Sequence, residues 1–127
     1  HGCGGTQRRA RLVGAGIAKQ LIYTAQNIKA DEAFRIGLVN AVYPAEELLP
    51  AAKKMAAKIA GNAPIAVRAC KKAINEGLQV SIDEGAVIEE KLFGDCFETY
   101  DQQEGMANFL RKKDDPKKVK KVAFKNA

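Results

Sequence analysis

The sequence predicts a mainly α fold with one short strand segment, and three observations support this prediction. Apolar residues recur every three or four positions over most of the chain, which is the period of an amphipathic helix. A glycine ends most of these periodic runs, and two Ser/Thr-x-x-Glu/Gln patterns stand where helices would begin. One run, residues 38–43, is instead short and largely apolar and is closed by Pro44, which is typical of a strand.

The first two predicted helices cover residues 7–13 and 17–24. Thr6 is expected to cap the first helix, and Gly14 is expected to end it. The glycine-rich turn before Thr6 could bind an anion through backbone N–H groups, but it lacks the lysine and the preceding strand of a phosphate loop. A tight turn is therefore the favoured interpretation.

Residues 29–44 form the joint around which the rest of the chain is arranged. Asp31 and Glu32 fall in the first turn of a short helix, where carboxylates favour the positive end of the helix dipole. Gly37 is expected to end this helix, because glycine adopts the left-handed conformation without steric cost. The short strand should follow directly.

The remaining apolar periodicity predicts four more helices. Two of them should begin with capping boxes, in which a hydroxyl and a carboxylate or amide three residues later satisfy free backbone N–H groups. We expect Cys70 to be a small core residue, since the chain has no histidine placed to activate it. The predicted helices are 45–60, 65–76, 82–96 and 101–112, with capping boxes at Ser81/Glu84 and Thr99/Gln102.

Charge divides the 127-residue chain into a neutral body and a basic end. Residues 111–127 carry eight Lys and Arg against two Asp, which accounts for the whole net charge of +6. We therefore predict one helical domain over residues 1–113 and a basic, flexible tail over residues 114–127, which has too few apolar residues to pack. Two interpretations of the tail stay open: a solvated segment, or a contact for nucleic acid, an anionic surface or a ligand with several phosphates.

The cysteines and histidine argue against several function classes. Cys3, Cys70 and Cys96 are odd in number and widely spaced, and the only histidine is His1, so neither a disulfide framework nor a zinc site is expected. The sequence contains no apolar run of membrane-spanning length and no recognisable leader. We expect a cytoplasmic protein with free thiols and without a metal.

The acidic residues of this chain do not form a recognisable catalytic site. Several carboxylate pairs are adjacent in sequence, and adjacent residues on a helix point about 100° apart. Such pairs cannot act together on one substrate atom. No catalytic residue is therefore predicted from the residues alone.

A series of motifs nevertheless occurs in one order between residue 2 and residue 113. The motifs are G-G-T-Q-R, A-K-Q-L-I-Y-T-A-Q-N-I-K-A-D-E-A, G-L-V-N-A-V, N-A-P-I-A-V, K-K-A-I-N-E-G and F-x-x-x-F-x-T-x-D-Q-x-E-G-M-x-x-F. With them the sequence resembles the C-terminal half of the enoyl-CoA hydratase/isomerase (crotonase) superfamily, and within it the bacterial short-chain 3-hydroxybutyryl-CoA dehydratases. The resemblance implies the C-terminal helical region of the crotonase fold.

The same resemblance implies a lyase that adds or removes water across the 2,3 double bond of short-chain acyl-CoA thioesters. In that family two glutamates act as acid and base, and two backbone N–H groups hold the thioester oxyanion. All of these groups precede the part of the family that this chain resembles. The parent is therefore expected to be a hydratase without a metal or redox cofactor, and this half is expected to be inactive alone.

The resemblance also implies a role in assembly and in coenzyme A binding. The final helices of the family make trimer contacts, so a homo-oligomer, a trimer or a dimer of trimers, is expected. By motif position, Phe93 would meet the adenine and Lys112 the phosphates of the acyl-CoA substrate. Simpler interpretations stay open: Phe93 as a core residue and Lys112 as a helix-end charge.

A second class of function uses the same features. A helical oligomerisation or nucleic-acid-binding module could employ the basic end of the chain. Nucleic acid is the less favoured partner, because the tail offers only Phe124 as an aromatic for stacking.

Overall fold

The computed structural model describes residues 3–114 and 122–127, and it confirms the prediction of a mainly α fold. No helix in these residues is long and apolar enough to cross a membrane. Seven α-helices occur in the described part: α1 Gly5–Val13, α2 Ala15–Thr24, α3 Ala30–Arg35, α4 Ala45–Ala60, α5 Pro64–Gly77, α6 Ile82–Phe97 and α7 Tyr100–Asp114.

The chain divides into two compact units, His1–Ala52 and Lys53–Ala127. Helix α4 begins in the first unit and ends in the second. The first unit contains α1, α2 and α3, and the second contains α5, α6, α7 and the last residues of the chain.

The first unit has a small apolar core. Helices α1 and α2 pack against each other, and α1 ends at Gly14, as predicted. Thr6, in contrast, is not the N-cap: α1 begins at Gly5, two residues before the predicted start, and Gly4 occupies the cap with a φ of 76°. A glycine adopts this left-handed conformation without penalty, so the turn closes before Thr6 is reached. The buried apolar side chains are Val13, Ala18, Leu21 and Ala33.

The predicted strand over residues 38–43 is wrong. Helix α3 ends at Gly37, whose φ is 75°, and the backbone N–H of Leu38 then donates to the Ala33 carbonyl oxygen at 2.8 Å. The chain bends over residues 38–40 and runs on irregularly to Pro44. An extended run becomes a strand only when a neighbouring strand pairs with it, and no segment of the described residues does so.

The second unit is built on a helical hairpin of α5 and α6. The two helices come close together at Gly77 and Gly85, where an added Cβ on Gly85 would lie 3.5 Å from the Gly77 Cα. The predicted capping box is present, because the backbone N–H of Glu84 donates to Ser81 Oγ at 3.3 Å and the Ser81 N–H donates to Glu84 Oε2 at 3.1 Å. At the start of α7, Thr99 Oγ1 accepts from the backbone N–H of Gln102 at 3.2 Å.

The apolar faces of α4, α5 and α6 contain no buried residue. Cys70 is exposed, so the expectation that it lies in a core is wrong. The apolar period of α5 is real, but none of the residues of this helix is buried in the described part. Large exposed side chains on these three helices include Leu48, Leu49, Met55, Ile59, Ile74, Val87, Phe93 and Phe97.

The predicted basic tail falls partly outside the described residues. Residues 115–121 are among those not described. Residues 122–127 make hydrogen bonds to the first turn of α7, and the flexibility of the tail stays a prediction. We call residues 122–127 the C-terminal strap. The domain boundary at residue 113 stays a prediction.

Candidate functional site

Phe93 lies on the exposed side of α6. Its side chain is 64% exposed, and its ring meets that of Phe97, one helical turn later, edge to face with centroids 5.0 Å apart. Such an arrangement holds the ring in place while leaving much of it accessible. Phe93 is therefore not a core residue of this unit, and its predicted contact with adenine stays a prediction.

Lys112 lies in the last turn of α7. Its backbone is helical and its side chain is not among the described ones, so its predicted contact with phosphate stays a prediction. The preceding residue, Arg111, is half-exposed, and its guanidinium lies 3.8 Å from the Glu104 carboxylate on the same helix. An ion pair of this length at the surface stabilises little.

The first turn of α7 holds the one buried polar side chain seen in the described residues. Asp101 is 1% exposed, and its two carboxylate oxygens accept from the backbone N–H groups of Lys125 at 2.6 Å and Asn126 at 2.9 Å. The sequence places Asp101 only as a helix-start charge. Its pairing was missed because the two donors lie more than twenty residues away and are backbone groups, which leave no side-chain pattern.

A groove of about 230 Å³ is lined by residues of α5 and α6. Its floor is apolar, and the charged side chains at its edge are Arg68, Lys72 and Asp95. The Arg68 guanidinium donates to Asn126 Oδ1 at 2.6 Å, so this cation is already engaged by the strap. The groove holds two cations beside one carboxylate and no group placed for acid–base chemistry.

A second pocket, of about 220 Å³, lies in the first unit between α2 and α3. Glu32 and Arg35 border it and form a bidentate ion pair with both N···O distances at 2.6 Å. The hydrogen bond from Arg35 lowers the pKa of Glu32 below its ordinary value, and the same bond raises the pKa of Arg35. A carboxylate held in this way is a poor general base, because its proton affinity is reduced.

Within the described residues, no group of three or more His, Cys, Asp or Glu side chains is arranged to hold a metal ion. The three cysteines are free. The described part thus offers an exposed aromatic ring, a basic helix end and unburied apolar faces. It offers no constellation for catalysis.

The family assignment follows from comparison with known proteins. The family described as enoyl-CoA hydratase/isomerase matches residues 1–118. The chain therefore belongs to the enoyl-CoA hydratase/isomerase family, as its motifs predict.

Two named relatives are similar to most of this chain. The chain is 57% identical over 112 residues to the short-chain-enoyl-CoA hydratase of Clostridium acetobutylicum, covering 88% of this chain and 43% of that protein. It is 59% identical over 112 residues to the crotonyl-CoA hydratase of Syntrophomonas wolfei, again covering 88% and 43%. The chain thus spans less than half the length of these two relatives.

The solved structures agree with the sequence comparison. A crystal structure of an enoyl-CoA hydratase from Bacillus anthracis superposes with a TM-score of 0.88 at 41% identity, covering 99% of this chain and 46% of that one. One from Geobacillus kaustophilus gives a TM-score of 0.87 at 34% identity, covering 99% and 46%. The chain therefore has the structure of a helical part of the crotonase fold.

Proposed function

We propose that this chain is the C-terminal half of a short-chain enoyl-CoA hydratase, and that it supplies oligomer contacts and part of the coenzyme A site. The parent enzyme would add water across the 2,3 double bond of a short-chain acyl-CoA thioester. The relatives named as short-chain-enoyl-CoA and crotonyl-CoA hydratases support this activity for the parent. They do not favour a nucleic-acid-binding module.

The observation that carries the assembly role is the set of unburied apolar faces on α4, α5 and α6. Large side chains such as Leu49, Ile74 and Val87 are between 60% and 65% exposed. Each leaves apolar surface in water at a cost of about 25 cal/mol per Å², so a partner surface that covers several of them would be strongly favoured. We infer that the remaining half of the enzyme and neighbouring copies provide this cover, in a trimer or a dimer of trimers.

The coenzyme A role rests on one ring and one helix end. Phe93 presents an exposed ring, and its edge-to-face contact with the Phe97 ring keeps it in place. Arg111, Lys112 and Lys113 follow one another in the last turns of α7, where cations also suit the helix dipole. An adenine on the ring and a phosphate at the helix end would each contribute about 1 kcal/mol at such exposed positions.

The purified chain should not hydrate crotonyl-CoA. Positioned acid–base groups contribute about 10²–10⁴-fold and one oxyanion donor a further 10²–10³-fold, and we place both upstream of this half. The test follows the loss of the enoyl thioester absorbance with the purified chain. Turnover that co-purifies with the chain through several columns would overturn the assignment of catalysis to the missing half.

The coenzyme A contact is tested in the full-length enzyme with Lys112→Ala. The variant should raise KM for crotonyl-CoA about fivefold with kcat little changed, because the contact is equal in the ground and transition states. The effect should fade with added salt and should be absent for a crotonyl-pantetheine thioester, which lacks the nucleotide phosphates.

The matched control is Lys54→Ala, which removes the same charge from an exposed position of α4. It should leave KM for both thioesters unchanged. A fall in kcat with KM intact for Lys112→Ala would instead mean that this residue supports the catalytic half, and the phosphate contact would be wrong.

A further inference from the structure

The C-terminal strap is bound to α7 by a compact set of hydrogen bonds. Asp101 is the second residue of α7, and its buried carboxylate accepts from the backbone N–H groups of Lys125 and Asn126. Its own backbone N–H lies 3.3 Å from the Ala127 carbonyl oxygen and donates to it. Three hydrogen bonds thus join a single residue of the helix to three successive residues of the strap.

The backbone of the strap is shaped for this contact. Asn126 has a φ of 62°, in the left-handed region that asparagine tolerates better than most residues. Two successive N–H groups then point to one side and form an anion-binding concavity. An ionised carboxylate in such a concavity receives stronger hydrogen bonds than a neutral acceptor would.

The strap also contacts α5. Arg68 on that helix donates to Asn126 Oδ1 at 2.6 Å, and Lys125 Nζ lies 4.2 Å from the centre of the Tyr100 ring. Phe124 lies beside Gly105, one turn further along α7. The strap therefore links α5 to the first two turns of α7.

In the described residues, helix α7 makes few contacts with the other helices of its unit. Helices α5 and α6 pack along one another, whereas α6 touches α7 only sparsely. Among the α7 side chains that the structure describes, only Asp101 is buried. In the described part, the strap and the Thr99 cap thus hold the beginning of α7, and only the strap reaches it from a distant part of the sequence.

We propose that Asp101 is a positioning residue for acyl-CoA binding, which acts by holding the strap and so fixing α7. Lys112 is eleven residues further along the same helix, about 16 Å from Asp101 at 1.5 Å per residue. A helix this short moves as one body, so an unfixed first turn leaves the basic end of the helix without a defined place. This inference rests on the proposed function, because it needs the phosphate contact at Lys112.

The first test is Asp101→Asn in the full-length enzyme, with Asp83→Asn as its matched control. Asparagine has the same size as aspartate, but only one of its two side-chain polar atoms accepts a hydrogen bond. Its NH₂ group would face a strap N–H, and two donors cannot bond to each other. Asp83 is the second residue of α6 and is exposed, so it shares the helix-dipole position without a strap. Asp101→Asn should raise KM for crotonyl-CoA about fivefold with kcat within about twofold, and Asp83→Asn should leave both unchanged.

The second test leaves Asp101 intact and therefore stays informative if Asp101→Asn does not fold. Lys125→Pro removes the N–H that donates to Asp101, while Lys125→Ala keeps this donor and removes only the contact with Tyr100. Lys125→Pro should match Asp101→Asn, and the double variant should be no worse than either, since both break one contact. Lys125→Ala should resemble the wild type.

A purely structural role and a positioning role differ in one readout. If Asp101 positions the phosphate contact, its variants should leave KM for crotonyl-pantetheine unchanged, whereas general loosening would affect both thioesters. The inference is overturned if Lys112→Ala raises KM and neither Asp101→Asn nor Lys125→Pro does. If Lys112→Ala leaves KM unchanged, the proposed contact between Lys112 and coenzyme A is wrong. The positioning role of Asp101 is then wrong as well, because it depends on this contact.

Discussion

The two units of this chain hold themselves together in different ways. The first unit buries apolar side chains, whereas the only buried side chain described in the second is the carboxylate of Asp101. Apolar burial is non-directional and stabilises wherever surfaces meet, while a buried carboxylate is favourable only with its donors in place. Among the described residues, the second unit thus has one buried polar side chain with its donors in place, and its apolar faces are exposed.

The largest effect that separates the two units should come from truncating one apolar side chain in each. Leu21→Ala removes a buried side chain of α2 and should lower the free energy of unfolding by about 2–4 kcal/mol. Ile74→Ala on α5, where the side chain is 60% exposed, should cost less than about 1 kcal/mol in this chain alone. Urea denaturation followed by circular dichroism measures both.

The same two variants, Leu21→Ala and Ile74→Ala, test in the full-length enzyme whether the apolar face of α5 is covered. If a partner surface covers α5 there, Ile74→Ala should become as costly as Leu21→Ala, while the cost of Leu21→Ala should stay the same. Equal, small costs for Ile74→Ala in both proteins would contradict the assembly role of that face.

The sequence predicted features that depend on neighbouring residues and missed those that depend on distant ones. The helix bounds follow from local period and caps, and the capping box at Ser81 and Glu84 is where the pattern places it. The strand over residues 38–43 failed because a strand needs a partner outside its own sequence. Of the two site residues carried by the resemblance, Phe93 is exposed, as a ligand contact requires, and the side chain of Lys112 lies outside the described residues.

Asp101 shows why part of the site could not be predicted. Its partners are backbone N–H groups in the strap, and any residue except proline supplies such a group. The sequence therefore contains no pattern that pairs the two segments. The interpretation of residues 114–127 as a flexible tail rested on counting apolar residues, and it stays a prediction. That count did not consider the backbone N–H groups that the strap offers to one buried carboxylate.

A smaller effect should come from the capping box of the second unit, which has no counterpart in α1 or α2. The side-chain hydrogen bond from Ser81, followed by that from its backbone N–H, lowers the pKa of Glu84 below its ordinary value of 4.5. A carboxyl group whose pKa is lower in the folded state stabilises the fold above its unfolded pKa, and this contribution is lost as the pH falls through the folded value.

The midpoint of thermal unfolding should therefore fall more steeply below pH 4.5 in the wild type than in Glu84→Gln, and the two proteins should converge in acid. Ser81→Ala should remove the same difference and cost about 1 kcal/mol at neutral pH. A parallel pair of pH profiles for wild type and Glu84→Gln would mean that the box does not form in solution.

The smallest effect should separate two glycines, one in each unit. Gly37 ends α3 with a φ of 75°, so Gly37→Ala forces an L side chain into the left-handed region and should cost about 1 kcal/mol, although nothing lies within 4 Å of the added Cβ.

Gly85 lies inside α6, and its added Cβ would meet the Gly77 backbone at 3.4–3.8 Å, which is ordinary van der Waals contact. Alanine also favours a helix over glycine by about 1 kcal/mol, so Gly85→Ala should be neutral or slightly stabilising. Denaturation midpoints of the two variants measure the difference directly. A marked loss in Gly85→Ala would show that α5 and α6 approach more closely in solution than the structure has them, and that the hairpin depends on the absence of this side chain.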